Sequence, residues 1–444
     1  MPSVCVTDKK WSLCFVLISV MLSHGMAQDN TPWSRYGLGE ILPAGNILNR
    51  GMGQVAAAYN DAQTINFINP ASYTQFGKQK ALLDVGVDYQ NRSLSDQNDK
   101  SVSFANVFIP YVAGGFQLSG EKSKRKIGVA FGLRPLSKIS YNLETGTRIG
   151  ADSVSYTYEG NGGLYQAFAG TGMRFGNLNV GVNIGYRFGT RDNATKVALI
   201  SPDGSTRFNS GQKELRHYFG GIFSEIGLQY EIKLSAKQAL CVGAYGSLAA
   251  PLQMKTDETI STFFRSGETG NDVSLDSIRS LKGIQNSIQY PSYYGAGLMY
   301  HRTGKSRLSI GGDFTFQEWD TYRFAGRQDF MTNSWQAKAG AQWIPNIENG
   351  NGKLSGRLMY RTGFIYSKEP FSVNGDLTSY AFTFGLGIPI KKYSYAEYNR
   401  NNIFNIALEV GNRGNASQII REQYYRLAVS FSFSDTWFIK SKYD

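Results

Sequence analysis

The amino-acid sequence predicts an all-β fold, a closed transmembrane barrel of about fourteen antiparallel strands, and three observations lead there. The first is a long two-residue period. From Leu178 to Phe188, the residues Leu178, Val180, Val182, Ile184, Tyr186 and Phe188 alternate with Asn179, Gly181, Asn183, Gly185 and Arg187. An extended chain with that order has one apolar face and one polar or small face. The pattern returns at Leu427, Val429, Phe431 and Phe433 against Ala428, Ser430, Ser432 and Ser434, and at Leu354, Gly356, Leu358 and Tyr360 against Ser355, Arg357, Met359 and Arg361. The second observation is composition. Fifty glycines, 27 Tyr and 27 Phe with 12 prolines suit many strands, tight turns and rings at two membrane interfaces. Mean hydropathy is −0.30, and past the N-terminus there is no apolar run of the roughly 18 residues that a helical span needs. Since a sheet in lipid cannot leave an edge unpaired, the remaining membrane architecture is a closed barrel.

The third observation is the N-terminus, where Lys9 and Lys10 precede an apolar run from Trp11 to Leu22 and Gly25-Met26-Ala27 supplies small residues for signal-peptidase cleavage. Residues 1–27 are therefore expected to be an export signal. The mature chain begins near Gln28, and losing Asp8, Lys9 and Lys10 lowers the formal charge from +12 to +11. Cys5 and Cys14 leave with the signal, so Cys241 stays alone and neither an intramolecular disulfide nor a cysteine metal site follows. The basic balance does not imply nucleic acid. Its lysines and arginines are scattered over strand ends and turns such as Glu121 to Lys126, where they suit acidic headgroups of membrane lipid and lipopolysaccharide.

Residues 28–80 stand apart as a segment rich in Gly, Asn and Ala with weak alternation, irregular or partly helical. From Ala81 the wall follows in residues 81–444. Strands are predicted near 81–94, 101–118, 127–142, 162–175, 178–190, 216–232, 239–253, 288–301, 307–322, 334–344, 354–367, 378–389, 402–412 and 423–434. Even parity suits an outer-membrane barrel. Short connections (Glu121 to Lys126, Gly176-Asn177, Ser235 to Gln238, Thr303 to Lys305) alternate with long ones (Glu144 to Asn161, Arg191 to Leu215, Lys255 to Ser287), which places the short side in the periplasm. Most strands read for ten or more residues, the length of a tilted span and longer than the usual soluble sandwich strand.

The inward rows carry Asp313, Lys338, Arg357, Arg361 and Glu409. Paired networks that brace the wall account for them better than specific ligand contacts do. His217 and His301 fall at opposite rims, so no shared acid-base pair or two-histidine metal site forms, and no catalytic residue, metal or cofactor is expected. Gly160-Asn-Gly-Gly163 and Asn349-Gly-Asn-Gly352 match no phosphate loop and read as turns at strand edges. Pro110 and Pro135 fall inside predicted strands. Proline cannot donate to a ladder, so each marks either a tolerated bulge or a gap in the wall.

An irregular N-terminal segment with Asn69-Pro-Ala71, ahead of about fourteen strands kinked early, resembles the FadL family of outer-membrane transporters for long-chain fatty acids and other hydrophobic compounds. The string Ser34-Arg-Tyr-Gly-Leu-Gly39, Gly51-Met-Gly53 and Asn66-Phe-Ile-Asn-Pro-Ala-Ser-Tyr73 is similar to the branch found in bacteria with type IX secretion. Gly160-Asn-Gly-Gly-Leu164, Pro291-Ser-Tyr-Tyr-Gly-Ala-Gly297, the Asp313 to Trp319 strand and Asp435-Thr-Trp-Phe438 extend it over nearly the whole mature chain. The resemblance implies that residues 28–80 form a hatch in the lumen, with Asn69, Pro70 and Ala71 at the turn into the wall. It also implies passive uptake of an apolar ligand that leaves sideways beside a kinked strand, near Pro110 or Pro135. The end Lys440-Ser-Lys-Tyr-Asp444 departs from the family by lacking a terminal aromatic. The alternative from the same branch is a non-transporting accessory or scaffold barrel of a secretion or outer-membrane assembly machine, with machinery proteins as partners.

Overall fold

The structure, a computed structural model, describes residues 30–77, 80–98, 100–120, 125–150, 152–200, 209–265, 272–346, 354–372, 375–391, 401–415, 418 and 420–436. The expected export signal, Asn349 to Gly352 and Lys440 to Asp444 lie outside the described residues. Fourteen strands form the wall, three of them in two arms. These are β1 (Lys80–Ser95), β2 (Ser101–Phe108 and Val112–Gln117), β3 (Ile127–Ile149), β4 (Asp152–Phe175), β5 (Leu178–Ile200) and β6 (Ser210–Ser235). They continue as β7 (Gln238–Ser247 and Ala250–Arg265), β8 (Asp272–Tyr290 and Tyr293–Thr303), β9 (Arg307–Gln317), β10 (Ser334–Ile344), β11 (Met359–Ser372), β12 (Asp376–Lys391), β13 (Asn401–Arg413) and β14 (Arg421–Thr436). Each neighbouring pair is antiparallel, and β14 returns to β1 from Arg421↔Ser95 to Thr436↔Lys80. The sheet is closed.

Its faces are inverted relative to a soluble protein. Along β6, Ile222, Ile226, Leu228 and Tyr230 are exposed, while Phe223, Glu225, Gly227 and Gln229 between them are buried. Along β5, Ile184, Tyr186 and Phe188 face outward while Asn179, Asn183 and Arg187 are buried. Apolar side chains toward lipid and polar ones toward a lumen define an outer-membrane type of barrel.

Four expectations are corrected. The long connections after β3, β5 and β7 are largely ladder. β3 and β4 run 23 and 24 residues and meet at Ile149↔Asp152, and β5 and β6 run 23 and 26. A tilted span needs about 9–11 residues, so these hairpins stand well beyond the bilayer. There apolar residues such as Val154, Phe263, Val273 and Ile278 are scattered over both faces among polar ones, and the sustained apolar period used to find strands is missing although pairing continues. Second, Leu354–Arg357 is a helical turn and β11 starts at Met359, so Arg357 is not on a strand or in its inward row. Third, Gly160 to Gly163 lies inside β4 rather than at an edge, with Gly162 and Gly163 at φ 131° and 155°. Fourth, β9 ends at Gln317. Trp319–Thr321 then makes a 3-10 turn, and Trp319, Tyr322 and Met331 belong with Trp33 and Leu38 to one buried apolar cluster.

Residues 30–77 run through the lumen. The wall admits their backbone through inward glycines. A Cβ on Gly128, Gly227, Gly243, Gly340 or Gly363 would overlap Tyr73, Asn69, Ala57, Met52 or Gly53 respectively. These glycines come from five strands spread around the barrel, so the segment touches the wall over much of its circumference. Gly363→Val should therefore unseat the segment at an overpacking cost of about 1–3 kcal/mol. The expected outcome is faster proteolysis near Gly53 in a barrel whose heat-modifiable gel migration is unchanged; equal proteolysis would show that the wall yields instead.

Candidate functional site

The lumenal segment is anchored from its upper end downward. Asn46 caps Ile47–Arg50 by accepting from Asn49 N at 2.8 Å. Gly53 N donates to Thr383 Oγ1 at 2.8 Å, and Ala56 N and Ala57 N both donate to Asp313 Oδ2, at 2.6 and 2.7 Å. Asn66 Nδ2 ties the segment to itself through Ala56 O at 2.7 Å and Tyr59 O at 2.9 Å. Asn69 Nδ2 donates to Ala57 O at 2.6 Å and to Leu228 O of β6 at 3.1 Å. Its Oδ1 accepts from Ala71 N and so caps the 3-10 helix Pro70–Gln75. Asn69, Pro70 and Ala71 are thus a buried cap against the wall, and the chain enters β1 several residues later. Tyr73 Oη completes the seat on Asn183 Oδ1 at 3.0 Å.

Charge does the rest. Glu40, in the two-residue strand Glu40–Ile41, meets Arg92 of β1 at 2.7 Å, Arg413 of β13 at 3.0 Å and Arg426 of β14 at 4.0 Å. Arg413 also meets Glu422 at 3.0 Å, and Arg426 meets Glu409 at 2.8 Å. Lower down, Arg50 meets Asp88 at 2.6 Å. A second cluster centres on Glu225, which accepts from Tyr293 Oη at 2.6 Å and faces Arg134 and Arg187 at 3.7 and 3.6 Å.

Of the residues expected in the polar rows, Asp313 and Lys338 are cross-strand partners, and Glu409 pairs with Arg426. Arg361 is buried on Gln342 Oε1 at 2.7 Å and Asn405 Oδ1 at 3.1 Å. Sequence reasoning missed Glu40, Arg50, Asp88, Arg92, Glu225, Arg413, Glu422 and Arg426. Asp84, Asp88 and Arg92 at every fourth position of β1 were a usable signal. Glu40 had none, because its stretch lacks a period. His217 Nδ1 bonds Thr256 Oγ1 at 2.8 Å and His301 Nδ1 bonds Ser309 Oγ at 2.9 Å, each partnered within the wall.

Pro110 and Pro135 border one interruption. The lower arm of β2 pairs with β3 up to Val112↔Leu133, while its upper arm, Ser101–Phe108, pairs only with β1 among the described residues. Pro110 sits between the arms, and β3 shifts register between Pro135 and Ser137. Beside it is a cavity of about 170 Å³, lined by Leu42, Pro43, Arg134, Pro135, Leu136, Tyr293 and Trp335 and, across the lumen, by Lys338, Glu409, Arg413 and Arg426. Further breaks divide β7 at 248–249 and β8 at 291–292, close to Pro251 and at Pro291. A second space of about 420 Å³ lies at the upper mouth between Arg35, Tyr36, Tyr141, Tyr158 and Phe330.

These features define a closed outer-membrane barrel with an occupied, charge-braced lumen and an interrupted wall ladder. Its fold is that of the FadL-type channels. A FadL homologue of Pseudomonas aeruginosa aligns at 12% identity over 90% of this chain and all of that one, with a TM-score of 0.54. The toluene transporter TodX of Pseudomonas putida aligns at 13% identity over 90% and 99%, with a TM-score of 0.55. The toluene transporter TbuX of Ralstonia pickettii aligns at 13% identity over 88% and 98%, with a TM-score of 0.52. No curated protein matches the chain. The BamG family model matches residues 9–444, and the chain belongs to that family.

Two outcomes test the anchoring. Asp313→Ala strips the acceptor from two buried amides and leaves Lys338 without its carboxylate, a loss of about 2–4 kcal/mol. Hydrogen exchange at Ala56 and Ala57 should accelerate accordingly, with the barrel amides unchanged. Burial alone would raise the Glu40 carboxyl, but Arg92, Arg413 and Arg426 outweigh it and hold it at about 2. A depressed carboxylate stabilises the folded state fully above its ordinary value of 4.5 and loses that contribution as pH falls toward 2. Protection of the amides around Glu40 should be flat from pH 7 to 5 and fall below that; Glu40→Gln should abolish the pH dependence.

Proposed function

We propose that this chain is an accessory barrel of the machinery that assembles β-barrels in the outer membrane, a role in which the lumenal segment stays in place as a plug. The family match over residues 9–444 carries the reading, since its name belongs with the Bam components of that machinery. The lumen supports it. The free space beside the wall interruption is about 170 Å³, below the roughly 300–1,000 Å³ of ordinary ligand pockets, and five charged side chains, Arg134, Lys338, Arg413, Arg426 and Glu409, share its lining with apolar ones such as Leu42, Leu136 and Trp335. The tall hairpins of β3 to β8 offer rigid extracellular surface for protein contacts. Export by a cleaved signal of residues 1–27 and a division into a plug of residues 28–80 and a barrel of residues 81–444 belong to the same proposal. The link to bacteria with type IX secretion rests on the N-terminal motifs alone.

A second reading is passive uptake of a hydrophobic small molecule. The observation that favours it is the meeting of Pro110, Pro135, the interrupted ladder and the cavity in one place, in a fold shared with toluene transporters. The segment would shift, and the ligand would leave sideways between β2 and β3.

Depletion of the chain separates the two. On the first reading, other outer-membrane barrels lose their heat-modifiable folded form several-fold while uptake of a labelled fatty acid or toluene follows total barrel content. The reverse, normal barrel folding with uptake lost, would replace it with the second. In that case Pro135→Val, which restores a ladder donor, should lower uptake.

A further inference from the structure

The upper edge of β3 is occupied, but not by its neighbour in the wall. Leu42 N donates to Leu136 O at 3.0 Å, Glu40 is the ladder partner of Lys138, and Thr31 N donates to Ser140 O at 3.0 Å. Ser34 Oγ accepts from Ser140 N at 3.1 Å, and Asn30 both accepts from Asn142 N at 3.0 Å and donates to Asn142 O at 2.7 Å. In an antiparallel ladder the groups that face one edge belong to alternate residues. Leu136, Lys138, Ser140 and Asn142 are such a set. Residues 30–42 therefore imitate a strand, with backbone at some positions and the Ser34 hydroxyl and Asn30 amide at others.

That place has another claimant. The upper arm of β2 runs in the same direction and has one side unpaired among the described residues. Continuing the register from Val112↔Leu133 upward would set Val107 opposite Lys138 and Ala105 opposite Ser140, the groups that the lumenal segment now holds. One edge cannot serve both.

We infer that residues 30–42 and the Ser101–Phe108 arm are alternative partners of the β3 edge at Leu136 to Asn142, so that withdrawal of the lumenal segment and closure of the wall are one exchange. While the segment is docked the β2–β3 ladder is interrupted above Val112 among the described residues. When it leaves, the exposed groups of β3 and those of the β2 arm satisfy each other, and an unpaired edge is costly enough at a membrane to drive the pairing. The exchange gives the barrel two discrete states instead of a continuum. It does not depend on which function the barrel serves.

Two disulfide reporters in the full-length chain in outer membranes test it, each with Cys241→Ala. Ala105→Cys with Ser140→Cys reports closure, and Ile41→Cys with Ser137→Cys, ladder partners in the structure, reports docking. Each is compared in the native background and with Asn30→Ala plus Ser34→Ala, which removes the side-chain bonds of the imitation, keeps its backbone ones and leaves the barrel untouched, as checked by heat-modifiable migration. The expected result is reciprocal. Closure cross-linking rises at least about tenfold and docking cross-linking falls in step, the shift for the three lost side-chain hydrogen bonds at the low end of their usual net worth. Docking that falls without closure rising, closure that rises with docking unchanged, or no change in either would each overturn the exchange.

Discussion

A sheet in lipid has no water to satisfy its backbone, so each amide and carbonyl at membrane depth must find a partner inside the protein. The other features of this molecule are consequences of that constraint. It makes β14 return to β1 along the full length of both strands. It turns an interruption in the ladder, harmless at the rim of a soluble sandwich, into a feature needing compensation. Compensation comes from the lumen, where residues 30–42 cover the β3 edge that β2 leaves free. The inward glycines are the counterpart on the wall, since a segment can hydrogen-bond a barrel from inside only where its backbone can approach.

Enclosure then decides the electrostatics. A lumen filled with protein is a poor solvent for charge, and arginines such as Arg50, Arg92 and Arg187, buried almost completely, carry large desolvation costs. They are tolerated because each faces a carboxylate. Such pairs add little net stability over an apolar packing of the same volume, whereas breaking one costs about 3–5 kcal/mol. Their consequence is positional. Glu40 sits on three arginines from β1, β13 and β14 at once, and Asp313 binds two consecutive amides. A segment with little regular structure of its own thereby acquires one place in the lumen.

The wall was legible in the sequence wherever lipid imposes a period, as in β5, where Ile184, Tyr186 and Phe188 alternate with Asn179, Asn183 and Arg187. It was illegible where lipid stops. The stretch around Glu144 to Asn161 reads as loop because no lipid-facing apolar period is sustained there, yet its ladder continues. At Leu354–Arg357 the reverse happened, an alternating pattern fulfilled by a helical turn, because four residues fit either period. In the lumen, Asp313, Lys338, Arg361 and Glu409 could be read from strand alternation, but their partners could not. Which carboxylate meets which arginine is set by strand order around the closed ring and by a segment without periodicity. The two prolines were legible as breaks, whereas their sharing one interruption is a matter of register.

The same wall is found in barrels named as toluene transporters, and a shared fold at about 12–13% identity says nothing of what passes through. The interior is where the difference would lie. The Glu40 cluster and the Asp313 bonds to Ala56 and Ala57 hold the segment in the lumen, and Trp319, Tyr322 and Met331 share one buried cluster with Trp33 and Leu38, so moving the segment for an apolar solute means parting such contacts. Separating one buried pair at about 3–5 kcal/mol slows passage by about two to four orders of magnitude, and an apolar solute brings no charge to offset it. A protein partner faces no such barrier at the hairpins beyond the bilayer. On the accessory-barrel reading proposed above, the filled lumen is then the working state of the barrel.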